Sequence, residues 1–194
     1  MDTCTQYSPA SLKYAVDIVL CIDVTGSMGP TLTNVKHHAL NFPGRLAQEM
    51  SRKGRGISSL RLKVIAFRDF GDQADTALTE SRFFQVPDEL TDFEKSVRNL
   101  EPFGGGDEPE SGLEALALAM AAPWEKGLDK RRHVIVMFTD APAHPLGDSK
   151  QMAAPTYPGT VPGSMDELFC QWGHSQSRGG LLVNASKRLL IFAP

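Results

Sequence analysis

Three oxygen-bearing side chains stand at alternate positions in Asp23-Val24-Thr25-Gly26-Ser27, directly after the apolar run Ala15 to Ile22. In an extended turn, alternate side chains can converge on one point. One carboxylate and two hydroxyls form a hard-oxygen donor set, suited to Mg2+, Mn2+ or Ca2+ and poor for zinc. Gly26 allows a tight bend, and Gly29-Pro30 suits a helix start whose free N–H groups point toward the turn. The competing assignment for the same residues is a helix N-cap without metal, since Ser and Thr cap well.

The elements that must position this turn follow from periodicity. Ala15 to Ile22 suits a strand buried on both faces of a parallel sheet. Leu32, Val35, Ala39, Phe42, Leu46 and Met50 then make one helical stripe that keeps its register across Pro43, so a single kinked helix is expected. Leu60 to Phe67 predicts a second strand, Ser81 to Val86 a short edge strand, and Leu90 to Leu100 a helix. An alanine-rich helix is expected over Pro109 to Ala122, a central strand over Arg132 to Thr139, a short helix over Met165 to Trp172 and a last strand over Lys187 to Ala193. This alternation predicts an α/β fold, Rossmann-like and doubly wound. Its central sheet is mostly parallel, with one short antiparallel edge strand and helices on both faces. Residues 1–13 read as an N-terminal tail and residues 14–194 as one domain.

In such sheets ligands bind outside the carboxyl ends of the strands. Asp23 and Asp140 each end a strand, and Arg68-Asp69 with Asp72 follows a third, so acidic groups gather on that edge. Between Ala141 and Gly163 the chain is rich in proline and glycine without periodicity, and a loop of that length is usually functional or mobile. Asp69 and Asp72 read as supporting or surface groups, and His144 as an exposed loop histidine. Cys170 and His174 lie four apart, which suits packing rather than a zinc site of two ligands.

The net charge of −3 offers no electrostatic reason to expect nucleic acid or an anionic membrane. No apolar run approaches the roughly 20 residues that span a bilayer. Three cysteines at unrelated spacings argue against a disulfide framework and for a reducing, cytoplasmic setting. Oligomeric state is not legible.

Three features in order resemble the von Willebrand factor A domain family. Asp23-x-Thr25-Gly26-Ser27 looks like its metal-ion-dependent adhesion site. Gly104-Gly105-Gly106-Asp107 stands where the family has a glycine-rich loop with a threonine ligand, and Thr139-Asp140-Ala141 stands where an aspartate ends the fourth strand. Phe67 to Asp72 (FRDFGD) and Gly104 to Glu110 (GGGDEPE) further resemble a prokaryotic, bacterial type of the family, also seen beside α-kinase domains. The resemblance covers roughly residues 14–193 and implies a metal set of Asp23, Thr25, Ser27, Asp107 and Asp140, with Mg2+ as the natural cation. It implies a metal-dependent module that binds another protein through a Glu or Asp of that partner. It also implies a further helix and strand after Pro194. Asp107 has a second possible role, because Asp107 to Glu110 is spaced like a capping box with Pro109 in the first turn.

Two other function classes stay open. Asp23 after a strand is reminiscent of the nucleophile of haloacid-dehalogenase-like phosphatases, but these need a second aspartate where this chain has Thr25. There is no phosphate loop, no G-x-G-x-x-G after the first strand and no G-x-S-x-G elbow. A metal-dependent hydrolase is therefore one alternative, and a domain stiffened by a purely structural metal is the other. Asp107 replaces a neutral threonine of the family with a charged group, which would partly quench a bound cation. Asp107→Thr is expected to weaken metal binding and strengthen capture of an acidic partner. Titrations of both ligands check this, and no change in either overturns it.

Overall fold

The structure, a computed structural model, describes residues 12–106, 108–126, 130–173, 180–182 and 186–193. The sheet has six strands: β1 (Leu12–Asp23), β2 (Arg55–Phe67), β3 (Leu78–Glu80), β4 (Phe84–Val86), β5 (Arg131–Phe138) and β6 (Lys187–Phe192). Its order is β3-β2-β1-β5-β6, with β4 also on β2. β1 is parallel to β2 and β5, and β6 is parallel to β5. The helices are α1 (Gly29–Arg52), α2 (Phe70–Gln73), α3 (Leu90–Arg98), α4 (Gly112–Ala121), α5 (Ser149–Met152) and α6 (Met165–Trp172).

Alternation along β1 builds both cores. Val16, Ile18, Leu20 and Ile22 face a cluster with α1 and α3, while Val19 and Cys21 face one with α4 and α6. The expected α/β architecture, mostly parallel with helices on both faces, is what forms. α1 runs through Pro43 as one helix of 24 residues, with Leu32, Val35 and Ala39 buried.

Three elements differ in detail from their sequence patterns. The edge strand expected over Ser81 to Val86 is two three-residue strands, both antiparallel to β2. Ser81 causes the break, because its Oγ accepts from the N–H of Val64 where a ladder carbonyl would stand. The alanine-rich helix starts at Gly112 rather than Pro109. Glu110 instead makes a parallel bridge to Ala143, ahead of the helix, and the Asp107 end of the expected capping box lies outside the described residues. The long loop is also less loose than its composition suggests. It contains α5, capped by Asp148, whose side chain accepts from the N–H groups of Lys150 and Gln151.

Among the described residues no helix is long and apolar enough to cross a membrane. Trp124 is a core aromatic whose Nε1 donates to the Ala119 and Met120 carbonyls. Asp107, Cys4 and His174 lie outside the described residues.

The amino-terminal half of β1 carries a charge buried in the sheet. Asp17 is wholly buried and accepts from Arg61 (2.9 and 2.6 Å), Arg131 (3.2 and 3.3 Å) and the N–H of Glu125 (3.0 Å). Removing one member of a buried pair strands the other charge and typically costs about 3–5 kcal/mol. Asp17→Ala is expected to lose about that much in urea denaturation; a loss well under ~1 kcal/mol overturns the assignment.

Candidate functional site

Parallel register brings three strand ends level. Asp23 stands beside Phe67, and Ile22 beside Phe138, so Arg68-Asp69 and Thr139-Asp140 emerge on either side of the turn after β1. Asp23, wholly buried, organises that turn. Its Oδ1 accepts from the Thr25 N–H (3.0 Å) and Thr25 Oγ1 (2.6 Å), and its Oδ2 accepts from Thr139 Oγ1 (2.8 Å). Burial pushes the Asp23 carboxyl up, the Thr25 and Thr139 donors pull it down, and nearby Asp140 pushes it up again.

Thr25 Oγ1 lies 3.1 Å from Ser27 Oγ, and Ser27 Oγ donates to Asp140 Oδ1 at 3.0 Å. Four of the five expected site residues, Asp23, Thr25, Ser27 and Asp140, thus form one hydrogen-bonded chain. The fifth, Asp107, lies outside the described residues. The N-cap assignment fits less well. A short 3-10 turn over Gly26–Met28 precedes α1, and neither Thr25 nor Met28 makes a side-chain capping bond. The Thr25 hydroxyl is turned to the carboxylate instead.

The glycine loop packs against this turn backbone to backbone. The N–H of Gly26 donates to the Gly104 carbonyl at 2.8 Å, and a Cβ on Gly26 would stand 3.0 Å from that oxygen. Gly105 has φ of +77°, a conformation that side chains rarely adopt, and lies between Thr25 and Glu110. Arg68 holds the loop in place. Its buried guanidinium donates to the carbonyls of Thr76, Glu101 and Phe103 and lies 3.7 Å from the Phe103 ring centre.

Several residues here have a part that the sequence reading did not give them. Thr139 was legible only as a neighbour of Asp140. Glu110 is buried beneath the Gly105 turn, and burial, then the charges of Asp23, Asp69, Asp72 and Asp140, push its carboxyl up to about 8. Asp69 is buried rather than superficial. It accepts from the Gly71 N–H (3.0 Å) and from Gln151 Nε2, and His144 Nε2 lies 3.3 Å from it. His144 is therefore half-buried against an acid, not an exposed loop group. Asp72 is exposed and accepts from the Gly106 N–H. Deeper in α4, Glu114 is wholly buried, and Tyr157 of the long loop donates to its Oε1 at 3.2 Å.

Among the described residues no three His, Cys, Asp or Glu side chains stand close enough to hold a metal by themselves. A cation here would need the Thr25 and Ser27 hydroxyls beside Asp23 and Asp140. That mixed and clustered oxygen set fits a hard divalent ion.

No family model matches the chain. Among curated proteins it is 26% identical over 156 residues to the alpha-protein kinase vwkA of Dictyostelium discoideum, covering 79% of this chain and 23% of that protein. It is 28% identical over 129 residues to a putative ariadne-like RING finger protein, R811, of Acanthamoeba polyphaga mimivirus, covering 66% of this chain and 11% of that protein. The chain thus spans less than a quarter of either relative. Among solved structures, the SpRpn10 VWA domain matches with TM-score 0.48 at 11% identity, covering 93% of this chain and 89% of that one. The vWF domain of the type V pili tip protein Mfa5 of Porphyromonas gingivalis matches with TM-score 0.44 at 19% identity, covering 70% and 42%. The fold class stands on the chain's own sheet order and register.

The buried acid of α4 gives a pH signature away from the strand ends. Burial raises the Glu114 carboxyl above its ordinary value of 4.5. Above that value the unfolded chain ionises first and binds fewer protons, so the group's contribution to stability is full at lower pH and declines as pH rises. Glu114→Gln removes this dependence. Chemical denaturation at about pH 5 and about pH 8 is expected to show the variant gaining on wild type as pH rises; a constant difference overturns it.

Proposed function

We propose that this chain is a metal-dependent protein-binding module whose divalent cation is held by Asp23, Thr25, Ser27 and Asp140. The observation that carries this reading is the hydrogen-bonded run Asp23–Thr25–Ser27–Asp140 across the carboxyl edge of the sheet. Its donors are oxygens alone, as Mg2+, Mn2+ and Ca2+ prefer. Asp107 is proposed as a fifth contributor on the strength of the resemblance of its glycine loop.

When bound, the cation supplies an electrophilic position at which a carboxylate of a partner can dock. The chain's own residues do the rest. Asp23 orients Thr25 through both its N–H and its hydroxyl. Thr139 fixes the other Asp23 oxygen, which leaves that carboxylate little freedom to rotate. Ser27 is exposed, so the run opens to solvent on the side where a partner would approach. The loop after Asp140, tied by Gln151 to Asp69 and by Tyr157 to Glu114, offers a shaped flank for specificity. The likeness to a segment of a larger kinase supports a module working beside other activities.

Titration calorimetry of chelator-stripped protein with Mg2+, Mn2+ and Ca2+ tests the reading. One saturable site in wild type that vanishes in Asp23→Ala is expected, together with metal-dependent retention of acidic partner peptides. Absence of binding in wild type overturns the proposal. Metal binding that raises thermal stability without affecting any partner favours a structural metal instead.

A further inference from the structure

Among the described residues Asp23, Asp69, Asp72, Glu110 and Asp140 gather at the carboxyl edge of the sheet, and four of these five carboxyl groups are met by donors. Asp23 accepts from Thr25 and Thr139, Asp69 from Gly71 and Gln151, Asp72 from Gly106 and Asp140 from Ser27. Glu110 differs. It is 3% exposed, and among the described residues its Oε2 has no hydrogen-bond partner. Burying such an oxygen is unfavourable unless a donor or a positive charge meets it.

Its placement is firm. The Glu110 N–H donates to the Pro142 carbonyl at 2.9 Å, and its carbonyl accepts from the His144 N–H at 2.9 Å. The residue is thereby pinned to the loop that leaves Asp140. On the other side, a methyl group on Gly105 would stand 3.0 Å from both Glu110 Oε1 and Thr25 Cβ. The carboxyl and the Thr25 turn therefore flank a single glycine. The Arg68 guanidinium is committed to three carbonyls.

We propose that Glu110 is a further member of the cation site, acting on the ion across a shared water and setting how tightly it is held. This rests on the cation-binding reading above. An outer role follows because no three acids stand close enough to ligate one ion directly among the described residues. A carboxylate one water removed still attracts a divalent ion strongly where the dielectric is low, and it orients the groups that touch the ion. Glycine at position 105 keeps the gap between Thr25 and Glu110 narrow, since any side chain there would wedge the two apart.

The test titrates chelator-stripped wild type, Glu110→Gln, Glu110→Asp and Asp23→Ala with Mg2+ and with Mn2+, and records metal-free melting midpoints in the same buffers. Kd is expected to rise about 10–100-fold in Glu110→Gln, the range for outer-shell partners. Partial recovery is expected in Glu110→Asp, with no drop in the metal-free midpoint of Glu110→Gln. If Glu110→Gln matches wild type in Kd while Asp23→Ala abolishes binding, the role of Glu110 is overturned and the site itself stands. A lower metal-free midpoint with unchanged Kd also overturns it, because that marks a merely structural carboxyl. If wild type binds neither ion, both readings fall.

Discussion

A carboxylate with no exposed surface at the carboxyl end of the central strand is the constraint on which the functional edge depends. Asp23 cannot be hydrated, so its oxygens must be met by protein donors. The donors that meet it come from two places, the turn after β1 and the exit of β5. Satisfying one buried acid therefore sets the path of Thr25 and the position of Thr139 together. Once those are placed, Ser27 and Asp140 are brought within 3.0 Å of each other although they are 113 residues apart.

The same strand carries a second wholly buried acid, and the contrast between the two is informative. Asp17 and Asp23 share one parity along β1, hence one face of the sheet. At Asp17 the negative charge is matched by the guanidinium groups of Arg61 and Arg131. At Asp23 the donors are hydroxyls and a backbone amide, which satisfy hydrogen bonding but leave the charge in place. The first end is closed and structural in character. The second accumulates negative charge: burial first, then Asp23, Asp69, Asp72 and Asp140, raise the Glu110 carboxyl, and burial together with Asp140 raises that of Asp23. That asymmetry is what suits one end of the sheet to a cation.

The surrounding loops are held with unusual economy of side chains. Arg68 reaches three carbonyls and fixes the stretch from Glu101 to Phe103, and the Gly26 and Gly104 backbones bond directly. Gln151 links Asp69 to Ser111, joining the exit of β2, the start of α4 and the long loop. The proposed cation site, built from weakly charged donors, would need such support, because ligand orientation depends on the groups behind the ligands.

Apolar runs marked β1, the core of β2 and β5 because a strand buried on both faces has no polar positions to blur its pattern. The stripe of α1 was equally legible, as was the local convergence of Asp23, Thr25 and Ser27, which follows from spacing alone. Asp140 and the acidic edge followed from where the strands end. Elements with weaker patterns shifted: Ser81 divided the edge strand, and the bridge of Glu110 to Ala143 delayed α4 to Gly112. The roles of Thr139, Glu110, Asp69 and Gln151 were decided by tertiary structure. Each depends on partners 30 or more residues away, such as the pair Gln151 and Asp69, 82 apart, which only the parallel register and the folded-back loop bring together. Spacing along a chain determines which side chains share a face, and the packing of strands and loops determines which faces meet.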